Sequence, residues 1–127
     1  MAEHRILAID DDAHNVALLR AVLVPAGYAV TTAGSLATAR DAVRGGGIDL
    51  VLLDRHLPDG DGLDLARELK STEAGRRVPV LLVSASVLPV DRTAAEAAGC
   101  DGFIDKPIRI DDLLGAVQRW LGGASAA

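Results

Sequence analysis

Four apolar runs, each ended by polar residues, constrain this chain more than any other feature. They are Ile6-Leu7-Ala8-Ile9 before Asp10-Asp11-Asp12, Leu50-Val51-Leu52-Leu53 before Asp54, Val80-Leu81-Leu82-Val83 before Ser84, and Gly102-Phe103-Ile104 before Asp105-Lys106-Pro107. Short unbroken apolar runs are the pattern of strands buried on both faces, as in a parallel sheet covered by helices. Apolar residues at helical spacing separate them, and this alternation of the two periods is the pattern of βαβ units. In an open α/β sheet the ligand crevice lies outside the carboxyl ends of the strands. The polar residues ending the runs are therefore expected in one acidic pocket: a carboxylate pair, a single aspartate, a hydroxyl and a lysine.

Strands are expected at about 5–10, 28–32, 49–53, immediately after Pro79, and at about 102–104, with five helices between and after them. The first helix, about 13–25, carries Val16, Leu19 and Leu23 at helical spacing and stops at Gly27. Ser35 can cap the second, which runs to about Arg44 and the Gly45-Gly46-Gly47 stop. The third, about 62–71, presents Leu63, Leu65, Ala66 and Leu69. The last two are expected at about 90–98 and 110–120, the latter ending at Gly122-Gly123. Small and polar residues 122–127 are expected to form a frayed, flexible tail. Five strands and five helices then account for one domain spanning 1–127, with its core at about 5–121.

The chain's 127 residues suffice for one such core. A net charge of −5, without a Lys/Arg cluster, argues against a nucleic-acid surface. The apolar runs are too short to span a bilayer, and the first residues lack a signal-peptide core, so no membrane association and a cytoplasmic location are expected. The lone cysteine, Cys100, cannot form an internal disulfide and is read as a buried small hydrophobe. His4 and His14 have no partner spacing that suggests a metal or a base, and both are expected at the surface.

Parallel pairing of the first and third strands would bring Asp10, Asp11 and Asp54 within a few ångströms of one another. Carboxylates that close either raise a pKa or recruit a cation. Oxygen donors without His or Cys ligand spacing favour Mg²⁺. Asp12 fits the simpler role of capping the first helix. Ser84 and Lys106, at the ends of other strands, supply the hydroxyl and ammonium that a phosphoryl group needs around its oxygens, with Asp54 as the nucleophile.

These four segments, in this order and spacing, together with Leu57-Pro58-Asp59-Gly60-Asp61-Gly62 after Asp54, resemble the receiver domains of two-component response regulators. The likeness covers the chain from Arg5 to about Leu121. It implies a flavodoxin-like α/β fold: a five-stranded parallel sheet of order 2-1-3-4-5 with helices on both faces. It further implies a stand-alone regulatory phosphoacceptor rather than an enzyme, in which Asp54 takes a phosphoryl group from a histidine kinase or histidine phosphotransfer protein. By the same resemblance Asp10, Asp11, Asp54 and the main-chain carbonyl of His56 hold Mg²⁺, while Ser84 and Lys106 contact the phosphoryl oxygens. Ser84 and Phe103 become the switch pair, the face at about 90–120 becomes the site of a downstream effector, and the Lys106-Pro107 bond falls at a position that is often cis. Two departures stand out. His56 replaces the Met or Asn often found two residues after the nucleophile, and Phe103 lacks the hydroxyl of the Tyr present in some relatives.

Two other classes share part of the pattern. A Mg²⁺-dependent phosphohydrolase of the haloacid-dehalogenase kind also uses an aspartyl nucleophile, but requires a second aspartate where this chain has His56. A flavodoxin-like cofactor binder needs a phosphate-cradling loop after the first strand, where three aspartates would repel FMN.

Overall fold

The computed structural model describes residues 4–85 and 88–122. In chain order its elements are β1 (Arg5–Ile9), α1 (Ala13–Leu23), β2 (Ala29–Ala33), α2 (Leu36–Arg44), β3 (Leu50–Asp54), β4 (His56–Leu57), β5 (Gly60–Asp61), α3 (Gly62–Lys70), α4 (Glu73–Arg76), β6 (Val80–Ser84), α5 (Pro89–Ala97), β7 (Gly102–Asp105) and α6 (Ile110–Leu121). Five strands pair in parallel in the order β2-β1-β3-β6-β7. Counted as the five principal strands this is the expected 2-1-3-4-5.

Successive side chains of a strand point to opposite faces, and here that alternation sorts the helices. Leu7, Ile9, Val51, Leu53, Val80 and Leu82 pack with Leu36 and Ala39 of α2, Leu63, Leu65, Ala66 and Leu69 of α3, and Ala95 of α5. Ile6, Ala8, Leu50, Leu52, Leu81 and Val83 pack on the other face with Leu19 and Leu23 of α1 and Leu113 and Val117 of α6. Each fully buried Leu or Ile contributes roughly 1.5–3 kcal/mol of apolar burial, so covering both faces is what makes the unbroken apolar runs favourable. Cys100 is buried among the first set, as expected, and burial pushes its thiol up to about 11.

The caps hold most predicted boundaries. Asp12 accepts from the amides of His14 at 2.8 Å and Asn15 at 3.4 Å and starts α1, the structural role expected of it. Ser35 and Thr38 form a reciprocal capping box on α2. Asp61 accepts from the Leu63 amide at 2.9 Å and starts α3.

The structure adds two pieces to the expected five strands and five helices. His56–Leu57 and Gly60–Asp61 form a small antiparallel hairpin, and Glu73–Arg76 is a single helical turn capped by Thr72. Gly62 has to be glycine, because a Cβ there would meet the Asp54 carbonyl oxygen at 2.2 Å. His14 is exposed, but His4 is only partly so, which corrects its surface assignment. Its Nδ1 is buried without a hydrogen-bond partner among the described residues. Trp120 lies on α6, with Nε1 3.4 Å from where a Cβ on Gly102 would stand, at the end of β7 away from the acidic residues. Of the predicted tail, residues 123–127 lie outside the described residues. No described helix is long and apolar enough to cross a membrane.

Candidate functional site

Sheet register builds the site. Ile9 is opposite Leu53, so the next residue on each strand path, Asp10 and Asp54, emerges side by side at the carboxyl edge. Asp54 is also opposite Val83, and Ser84 opposite Asp105, which brings the ends of β6 and β7 to the same edge. Oxygens of Asp10, Asp11 and Asp54 lie within 4.8 Å of one another. Asp10 and Asp54 are buried, at 4% and 8% exposure, and Asp11 is exposed.

Two buried carboxylates side by side need compensation, and the chain supplies several donors. The ammonium of Lys106 stands 3.5 Å from Asp54 Oδ2 and 3.6 Å from Asp10 Oδ2. The amide of Lys106 donates to the Ser84 carbonyl at 2.9 Å, and the Lys106-Pro107 bond is cis. Asp10 also accepts from the Asp12 amide at 2.9 Å and from Asn15 Nδ2 at 3.1 Å. Asp54 accepts weakly from the His56 amide at 3.4 Å. Burial holds the Asp54 pKa above the ordinary carboxylate value, against the opposing pull of Lys106 and with the Asp10 charge adding to the rise.

The geometry therefore gathers Asp10, Asp11, Asp54 and Lys106 around one point, with Ser84 at the neighbouring strand end. His56 follows with its side chain exposed, and Phe103 is partly buried on β7. Oxygen donors from three carboxylates, two of them buried, fit a hard cation such as Mg²⁺ better than a soft one. Asn15, one turn into α1, was not anticipated. Its only sequence signal is its place five residues after Asp10. Asp59 was also unassigned. Its carboxylate accepts from the amides of Leu36 at 2.7 Å and Ala37 at 3.0 Å, tying the loop after Asp54 to the start of α2.

The match to known proteins agrees with this arrangement. Residues 6–118 match the response regulator receiver domain family. The chain is 30% identical over 119 residues to the polar-differentiation response regulator DivK of Brucella ovis, covering 94% of this chain and 97% of that protein. A crystal structure of the receiver domain of the sensor histidine kinase PA1611 from Pseudomonas aeruginosa PAO1, with a magnesium ion coordinated in its active site cleft, is 33% identical. It superposes with a TM-score of 0.86 over 95% of this chain and 99% of that one. Chemotaxis protein CheY4 of Vibrio cholerae is 25% identical, with a TM-score of 0.89 over 94% of this chain and all of that one, 100%. The chain belongs to the response regulator receiver domain family of two-component systems, a regulatory signalling domain.

Proposed function

We propose that this receiver is a phosphoacceptor in which Asp54 takes a phosphoryl group from a histidine kinase or histidine phosphotransfer protein. The observation that carries the reading is the ammonium of Lys106 standing within 3.6 Å of both Asp54 and Asp10, whose carboxylates cluster with the exposed one of Asp11. In the transfer an Asp54 oxygen forms the new O–P bond, the P–N bond of the donor phosphohistidine breaks, and its electron pair leaves on the imidazole, which regains a proton from water. Lys106 offsets charge on the phosphoryl oxygens, and Ser84 donates its hydroxyl to one of them. Asp10, Asp11, Asp54 and the His56 carbonyl would hold Mg²⁺. Bound there, it supplies positive charge against the carboxylates and the phosphoryl oxygens.

The change is read out through Ser84 and Phe103 on the face formed by α5, β7 and α6, at about 90–120. Val90 at 70% exposure, Ile110 at 54% and Trp120 at 40% are exposed apolar groups on those helices, available to a downstream protein.

Intact-mass spectrometry after incubation with acetyl phosphate and Mg²⁺ tests the chemistry. The wild-type chain should gain one phosphoryl group and Asp54→Asn none, because the amide keeps the shape and loses the attacking oxygen. A phosphorylated Asp54→Asn chain would assign the acceptor elsewhere.

A further inference from the structure

Arg55 follows Asp54 directly, yet it takes no part in the carboxylate cluster. Its guanidinium reaches toward α5: Nη1 donates to Asp91 Oδ1 at 3.2 Å, and Nε stands 3.5 Å from Asp61 Oδ1. Asp61 caps α3 and Asp91 lies in the first turn of α5, so one half-buried cation joins the starts of two helices to the loop after Asp54. Beside Asp91, Arg92 places its guanidinium 4.7 Å from the Phe103 ring centre and donates to Asp105 at 3.3 Å.

The cap residue of α5, Leu88, offers no side-chain hydrogen bond, and within the helix only Ala95 is fully buried. A segment with so few buried contacts opens easily, and the arginine ties add to its attachment. Arg55, Ser84, Asp91, Arg92 and Phe103 together line a cavity of about 10 Å³. That is room for about one water, far too little for a phenyl ring. An inward turn of Phe103 toward Ser84 thus requires the surrounding side chains to move first.

We propose that the Arg55–Asp91 pair is a latch. It holds the first turn of α5 against the Asp54 loop and keeps the Phe103 ring out of the space beside Ser84, until a phosphoryl group on Asp54 draws the guanidinium away. A phosphoryl group carries more charge than a carboxylate and three strong acceptor oxygens, and arginine binds phosphate through two parallel hydrogen bonds. Asp91 loses that competition. The trigger rests on Asp54 being the phosphoacceptor, whereas the latch itself exists in the unmodified protein.

Amide hydrogen exchange across Pro89–Ala97, measured on the full chain, tests it. Without any phosphoryl mimic, Asp91→Asn and Arg55→Gln should each speed exchange there by about two- to fivefold, the range for a partly exposed ion pair. The double variant should go less far than the sum of the two singles, because both break the Arg55–Asp91 contact while Arg55→Gln alone also releases Asp61. Beryllofluoride with Mg²⁺ should loosen α5 in the wild type and add little in Asp91→Asn. Unchanged exchange in both single variants, or effects that add in the double, would overturn the latch. A wild-type chain that acquires a phosphoryl group from acetyl phosphate while α5 exchange stays fixed would overturn it equally. If the variants loosen α5 but the wild type acquires no phosphoryl group, the latch stands and the assignment of Asp54 falls.

Discussion

Asp54 and Asp59 sit five positions apart and experience opposite environments. Burial holds the Asp54 pKa above the ordinary carboxylate value, whereas the Leu36 and Ala37 amides hold that of Asp59 below it. Since its folded value is depressed, the stability Asp59 contributes is fully present above the unfolded carboxylate range near pH 4 and is lost as pH falls through the lower folded value. Asp59→Ala should therefore lower the urea midpoint at neutral pH, by an amount that shrinks in strong acid. An equal deficit at all pH values would show that the carboxylate charge is not what secures α2. Of the residues at this scale, Asp10, Asp11, Asp54, Ser84 and Lys106 were legible because each ends an apolar run, and a strand end has only one place to go in a parallel sheet. Arg55 was not, although it stands next to Asp54. Its partner Asp91 is 36 residues away, and no local period links the two.

At the scale of elements, the periodic signal recovered what was long enough to have a period. All five principal strands and the five longer helices lie within a residue or two of expectation, whereas the β4–β5 hairpin, with two residues to each strand, and the single turn of α4 are shorter than any repeat that could announce them. What shapes α4 is close approach of backbone rather than an apolar face. Its Gly75 is buried, and a Cβ there would lie 1.9 Å from the Leu69 carbonyl oxygen at the end of α3. Around that turn Lys70 donates to the Val78 carbonyl at 2.8 Å and pairs with Asp101 at 2.8 Å, and Asp101 in turn accepts from the Val80 amide at 2.8 Å. The connection into β6 is thus fixed at both ends and cannot easily shift to make room. Gly75→Ala should cost about 1–3 kcal/mol, as overpacking of a rigid site does, read as a lower denaturant midpoint with an unchanged slope. A neutral outcome would mean that the α3–α4 corner is free to open.

Across the whole molecule, the requirement for a phosphoacceptor and a cation site opposes stability. The sheet drives two carboxylates into a buried edge beside an exposed third, and Lys106 alone is the cation within reach of both buried ones among the described ion pairs. A carboxyl group whose folded pKa is raised destabilises the folded state in its charged form. Stability is fully present below the unfolded pKa and is lost as pH rises through the folded one, so at neutral pH the penalty at Asp54 is in force. Asp54→Asn removes that charge, keeps the shape, and leaves Lys106 with Asp10. The variant should therefore be more stable than the wild type at pH 7, by about 0.5–2 kcal/mol, the common gain from relieving a functional compromise. The gain should narrow toward acid, where the wild-type carboxyl is already protonated. Mg²⁺ should narrow it as well, since a cation that binds only the folded wild-type site stabilises that chain by mass action. Denaturation of both chains at neutral and acid pH, with and without Mg²⁺, measures all three effects. An Asp54→Asn chain less stable than wild type at neutral pH would mean that Lys106 more than compensates the buried carboxylates.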